Sequence, residues 1–227
     1  MFNFKYLAAF YLCIILPILA QEEIKDPNPD RFASEISRFT DWDKQNAVPE
    51  NGVLFVGSSS IRGWMTAELF PGLPVINRGF GGSHISDVNV FADKIVLPYR
   101  PAIIVFYAGD NDVAYGKSAE RVFADYQKFV ATVGESLPKT AIVYVPIKPS
   151  ILRWEQWTEM ARCNDMIREF SESNKQLHYV DTATPMLGMD GTPEKHWFIE
   201  DGLHLSPEGY KMWSDLVKPL LDKLRNE

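Results

Sequence analysis

The sequence contains almost no cysteine, with two residues in 227, Cys13 and Cys163. Cys13 lies in an apolar leader, so the rest of the chain has one thiol, too few for an internal disulfide or a cysteine-rich zinc site. Stability must therefore come from packing. Histidine is also scarce, and His84, His178, His196 and His204 show no H-E-x-x-H or comparable spacing, so no metal is expected. Positive charge is in deficit, at a net −7, which argues against nucleic acid as a partner. No G-x-G-x-x-G or P-loop is present, so no nucleotide cofactor is expected. Repeats, low-complexity tracts and long linkers are missing as well, and a single domain follows.

One long apolar run is present, at the start. MFNFKYLAAFYLCIILPILA carries a single positive charge at Lys5 and ends on the small Ala20 before the polar QEE, the pattern of a signal peptide over residues 1–20. An uncleaved anchor is the alternative, because the run approaches spanning length. Pro17 and Ala20 favour cleavage, and no cysteine follows the cleavage point to take a lipid. A periplasmic or secreted product with no lasting membrane span is expected.

Residues 21–51 read as a lead-in and one helix, with Phe32, Ile36, Phe39 and Trp42 spaced to share a face. From residue 52 to 227, short apolar runs alternate with amphipathic ones. Val53 to Val56, Val75 to Ile76, Ala102 to Tyr107, Ala141 to Val145 and Leu177 to Val180 read as strands. Helical periodicity covers about 84–97, 117–136, 153–174 and 206–224. Continuous apolar strands between helices predict an α/β domain, a three-layer α/β/α sandwich around a five-stranded parallel sheet. In such sheets ligands bind at the carboxyl ends of the strands.

Those ends carry the chemistry-bearing residues. The first strand runs into Gly57-Ser-Ser-Ser-Ile-Arg-Gly-Trp64, with serines at a strand-to-helix turn. Backbone N–H groups there favour a nucleophile and its oxyanion, although serine also caps helices without any chemistry. The second strand leads to the glycine-dense Asn77-Arg-Gly-Phe-Gly-Gly-Ser83, and the third to Gly109-Asp-Asn-Asp112, where Asn111 offers an amide donor. Near the C-terminus Asp201-Gly-Leu-His204 places an acid three residues before a histidine. A carboxylate so placed orients an imidazole that then takes a proton from serine. No G-x-S-x-G elbow surrounds any serine.

These blocks, in this order, resemble those of the SGNH (GDSL-like) serine hydrolases, and the similarity runs from about Val53 to the final helix. Leu69-Phe-Pro, Asn77 and Leu203-His-Leu are closest to platelet-activating-factor acetylhydrolase-like and lysophospholipase-like members. The resemblance implies a flavodoxin-like SGNH fold over residues 52–227. It also implies Ser59 as nucleophile, Asp201 and His204 as its partners, and Ser59, Gly82 and Asn111 as oxyanion donors. Its expected activity is cleavage of carboxylic esters: short-chain acyl, acetylated carbohydrate or lysophospholipid. Ser58 stands where the family has Asp, which leaves Ser60 open as an alternative register and an inactive glycan- or lipid-binding module as an alternative function. Arg62, Arg78, Lys148 and Arg153 follow strand ends and, with Trp154, are candidates for contacting substrate, surface ion pairing and helix packing being the competing readings.

Overall fold

The computed structural model describes residues 24–226, so the expected signal peptide lies outside the described residues. Five strands, β1 (Val53–Gly57), β2 (Val75–Gly79), β3 (Ile103–Tyr107), β4 (Ala141–Tyr144) and β5 (Leu177–Tyr179), form one sheet. All pair in parallel, in the order β2-β1-β3-β4-β5. The helices are α1 (Ala33–Asp43), α2 (Ser59–Arg62), α3 (Thr66–Leu69), α4 (Ile85–Ile95), α5 (Asp110–Ala114), α6 (Ala119–Ser136), α7 (Trp157–Glu172) and α8 (Pro207–Leu224).

Successive strand side chains point to opposite faces, and both faces are covered. Leu54, Val56, Ile104, Phe106, Ile142 and Tyr144 pack against α1, α4, α6 and α7. Val53, Phe55, Ile103, Val105, Tyr107 and Val143 pack against α2, α3 and α8, whose Trp213, Val217 and Leu221 are fully buried. This is the three-layer sandwich that the apolar runs predict. Cys163, on α7, is buried, and burial pushes its thiol pKa up.

The differences from expectation have local causes. β2 runs on to Gly79 although its apolar signal stops at Ile76, because its polar residues find partners: Asn77 Nδ2 donates to the Ile61 and Trp64 carbonyls. α7 begins at Trp157 rather than near 153, after a 3₁₀ turn over Trp154–Gln156. Of the predicted apolar face of α1, Phe32 and Ile36 are buried and Phe39 packs on the core, but Trp42 is 47% exposed.

Trp42 instead covers the Arg78 guanidinium, 5.0 Å from its ring centre. Arg78 is the main correction to the substrate-contact candidates. It is buried, with Nε donating to Tyr99 Oη at 2.6 Å and Nη2 paired with Asp43, and it stacks on Phe39 and Tyr99. Its charge is used to tie α1 to the edge strand. The segment before α1 is fastened in the same way, by Asp26 to Lys117 at 2.7 Å and to Arg121 at 2.6 Å, and by Arg31 to Asp87 at 2.5 Å.

Arg78→Ala should therefore lower stability by about 3 kcal/mol, the low end for breaking a buried ion pair, since Asp43 keeps partial solvent access. Urea unfolding should read that loss.

Candidate active site

The chain leaves β1 for the sheet edge at β2, then crosses back past β1 to β3. Loops therefore diverge at the carboxyl ends of these strands, where an open α/β sheet forms its crevice. Gly57 ends β1 at φ +140°, and a Cβ there would sit 1.8 Å from the Tyr107 carbonyl oxygen. Only glycine allows that approach. Ser58 N then donates to Tyr107 O, and Phe80 N, just beyond β2, donates to Gly57 O, both at 2.9 Å.

The three serines have three different surroundings. Ser58 is fully buried and its hydroxyl has no hydrogen-bond partner. Ser60 is also buried, and its Oγ accepts from Lys148 Nζ at 3.1 Å. Ser59, the first residue of α2, is half-buried and lies 3.0 Å from His204 Nε2. Of the three, Ser59 is thus the one in register with the histidine.

His204 and Asp201 share a tight loop. Asp201 Oδ1 accepts from the Leu203 and His204 backbone N–H groups at 2.8 and 2.9 Å, and Oδ2 lies 2.6 Å from His204 Nδ1. Partial burial works to raise the Asp201 pKa, but these bonds outweigh it and hold the carboxyl at about 2. The loop is closed by Ile199 N donating to His204 O, and Ser206 then caps α8 by accepting from Gly209 N. With Nδ1–H given to Asp201, Nε2 presents its lone pair to the Ser59 hydroxyl.

Gly82 lies exposed in the turn after β2 at φ +79°, a conformation that favours glycine. Asn111 is on α5, half-buried, donating Nδ2 to Ser83 O at 3.1 Å and accepting at Oδ1 from Arg153 Nη2 at 3.0 Å. The Gly82 turn and α5 are therefore joined directly. Asp112 joins them again: wholly buried, it accepts from Ile85 N at 3.1 Å and from Lys117 Nζ at 2.8 Å. Burial lifts the Asp112 pKa to about 7 against the pull of Lys117.

Lys148 does not line an open substrate surface. Its side chain is 1% exposed, with Nζ donating to Tyr107 Oη at 2.9 Å and Ser60 Oγ at 3.1 Å, and 3.4 Å from Asp110 Oδ2. Burial lowers its pKa, and the nearby Asp110 opposes that. Trp154 is half-buried and stacks on Trp157 with ring centres 6.2 Å apart. The sequence reading missed Ser60, Tyr107 and Asp110 as partners of the buried cation. The available signals were Lys148 inside the apolar stretch that follows β4 and the paired carboxylates of Gly109-Asp-Asn-Asp112. A shallow cavity lined by Arg100, Pro138 and Lys139 opens at the opposite, amino-terminal edge of the sheet, remote from these groups.

A parallel α/β sandwich with a serine, a histidine and an aspartate linked at its carboxyl edge defines a class of hydrolase fold. The chain belongs to the GDSL-like lipase/acylhydrolase family, whose family model matches residues 40–212. It is 29% identical over 174 residues to platelet-activating factor acetylhydrolase IB subunit alpha1 of Pongo abelii, covering 74% of this chain and 73% of that one. It is 22% identical over 171 residues to isoamyl acetate-hydrolyzing esterase 1 homolog of Homo sapiens, covering 66% and 68%. Among solved structures, a GDSL-like lipase of Bacteroides thetaiotaomicron superposes with a TM-score of 0.70 at 23% identity, covering 86% of this chain and 98% of that one.

Since the Ser58 hydroxyl is buried without a partner, Ser58→Ala removes no hydrogen bond, and its stability in urea should be unchanged or slightly raised. Turnover of an ester should stay within about twofold of the parent, because the Ser58 hydroxyl makes no hydrogen bond and His204 Nε2 faces Ser59 Oγ instead.

Proposed function

We propose that this chain is an exported serine esterase that cleaves carboxylic esters by two-step acyl transfer. The observation that carries the reading is the hydrogen-bonded series Ser59 Oγ, His204 Nε2, His204 Nδ1, Asp201 Oδ2, at 3.0 and 2.6 Å. Ser59 Oγ attacks the ester carbonyl carbon while its proton passes to His204 Nε2. The carbonyl oxygen becomes an oxyanion that accepts from the Ser59 and Gly82 backbone N–H groups and from Asn111 Nδ2. Asp201 holds the imidazole in the required tautomer and stabilises the imidazolium.

Collapse of the tetrahedral species breaks the bond to the alcohol oxygen, which takes the proton that His204 received from Ser59 and leaves as the free alcohol. Water then attacks the acyl-enzyme, gives a proton to His204, and the second collapse returns it to Ser59. No metal or cofactor enters these steps.

One support favours a short acyl group: relatives are named for platelet-activating factor acetyl hydrolysis and isoamyl acetate hydrolysis. The alcohol proposed is a carbohydrate, a lysophospholipid or a simple alkanol. Export is proposed from the apolar leader alone. An inactive glycan- or lipid-binding module is the competing reading, and an aligned serine, histidine and carboxylate gives it no support.

With p-nitrophenyl acetate the parent should turn over, and Ser59→Ala should lower kcat by at least about 10³-fold. Hydrolysis unchanged by that substitution would overturn the mechanism. A series of ester chain lengths beside an acetylated glycan panel would define the substrate.

The pH profile offers a separate check. Asp201, held at about 2, keeps its charge throughout the measurable range. Protonation of the Asp201 carboxylate should therefore contribute no acid limb to kcat/KM above about pH 4, which a rate profile taken down to that pH checks.

A further inference from the structure

Behind Asn111 lies a buried ionic group that the proposed steps do not use. Asp110 is 3% exposed, and its Oδ2 lies 3.0 Å from Arg153 Nη1 and 3.4 Å from Lys148 Nζ. Burial works to raise the Asp110 pKa, and the two cations overcome it and hold the carboxyl below its ordinary value. One carboxylate is thus shared by two cations, leaving the cluster with a net positive charge.

Arg153 turns that charge toward Asn111. While Nη1 pairs with Asp110, Nη2 donates to Asn111 Oδ1 at 3.0 Å. The guanidinium side chain is 17% exposed, and both of its outer nitrogens face α5. A primary amide can present either end. With Oδ1 held by a cation, Nδ2 is fixed on the other side, where one hydrogen goes to Ser83 O at 3.1 Å. The second hydrogen is left for a ligand. A charged donor on the amide oxygen also draws electron density from the nitrogen and strengthens its N–H as a donor.

We infer that Arg153 is a positioning residue for ester hydrolysis, acting through Asn111 by fixing and polarising the amide that receives the oxyanion. The inference rests on the proposed esterase mechanism and names a contribution that mechanism does not contain. It also separates the basic residues found at the strand ends: Arg78 clamps α1, Lys148 neutralises Asp110 beneath Ser60, and Arg153 serves the oxyanion donor.

A double-mutant cycle on p-nitrophenyl acetate tests it, using the parent, Arg153→Met, Asn111→Ala and the double variant. Asn111→Ala should lower kcat by about 10²-fold. Arg153→Met should lower kcat by about tenfold with KM little changed, the size expected for loss of a charge-assisted hydrogen bond. In the Asn111→Ala background the same substitution should change kcat by less than about twofold, since its target is gone.

An equal loss in both backgrounds would overturn the inference and mark Arg153 as structural. A loss confined to KM would overturn it in favour of substrate contact, and no loss in the parent background would overturn it outright. Full activity of Asn111→Ala would instead bring down the oxyanion assignment itself, so the two failures are distinguishable.

Arg153→Met leaves Asp110 paired with Lys148, so the buried carboxylate is not orphaned. Should that variant fail to fold, Arg153→Lys supplies the cycle. It keeps the charge but cannot bridge Asp110 and Asn111 with a planar fork, and it should show a several-fold loss of kcat that disappears with Asn111.

Discussion

At the carboxyl end of β1 the backbone comes within touching distance of β3, and the site is arranged around that contact. Gly57 lies against the Tyr107 carbonyl with no room for a Cβ. The bonds from Ser58 N to Tyr107 O and from Phe80 N to Gly57 O then stitch the ends of β2, β1 and β3 into one edge. The loops bearing Ser59, Gly82 and Asn111 leave from that edge. A sheet buried on both faces cannot shift one strand without disturbing two cores, so the spacing of these loops is inherited from the packing below them.

In an acidic chain, two lysines are placed inside. Lys117 and Lys148 are both almost wholly buried, which is tolerated because each has carboxylate partners. The two clusters act on opposite sides of α5. Lys117 and Asp112 fasten this short helix to the start of α4, and Lys148, Asp110 and Arg153 fasten it to the chain leaving β4. A five-residue helix is too short to hold its own orientation. These ions supply what the helix lacks, and Asn111 sits between them.

The sheet was legible because its strands are continuous apolar runs, and the long helices because α6, α7 and α8 carry clear periodicity. What escaped the reading was short or polar. α2, α3 and α5 span four or five residues each, too few to show a period, and Asn77 and Arg78 hid the end of β2. The pattern showed three serines at a strand end and an acid three residues before a histidine, and the family resemblance, rather than the pattern, pointed to Ser59 among the three. Arg78 and Lys148 were legible as cations near strand ends, but strand position does not tell which way a side chain leaves the sheet. Arg78 lies above Phe39 and Trp42, and Lys148 beneath Ser60, because partners distant in sequence draw them there.

The lone thiol of the described residues gives the fold a built-in gauge. Cys163 is packed between α7 and the sheet, and its raised pKa keeps it from forming the reactive thiolate. A thiol reagent can reach it only when α7 lifts away. Modification of Cys163 therefore reports the opening of that layer, through the open population when reclosing is fast and through the opening rate when labelling is faster.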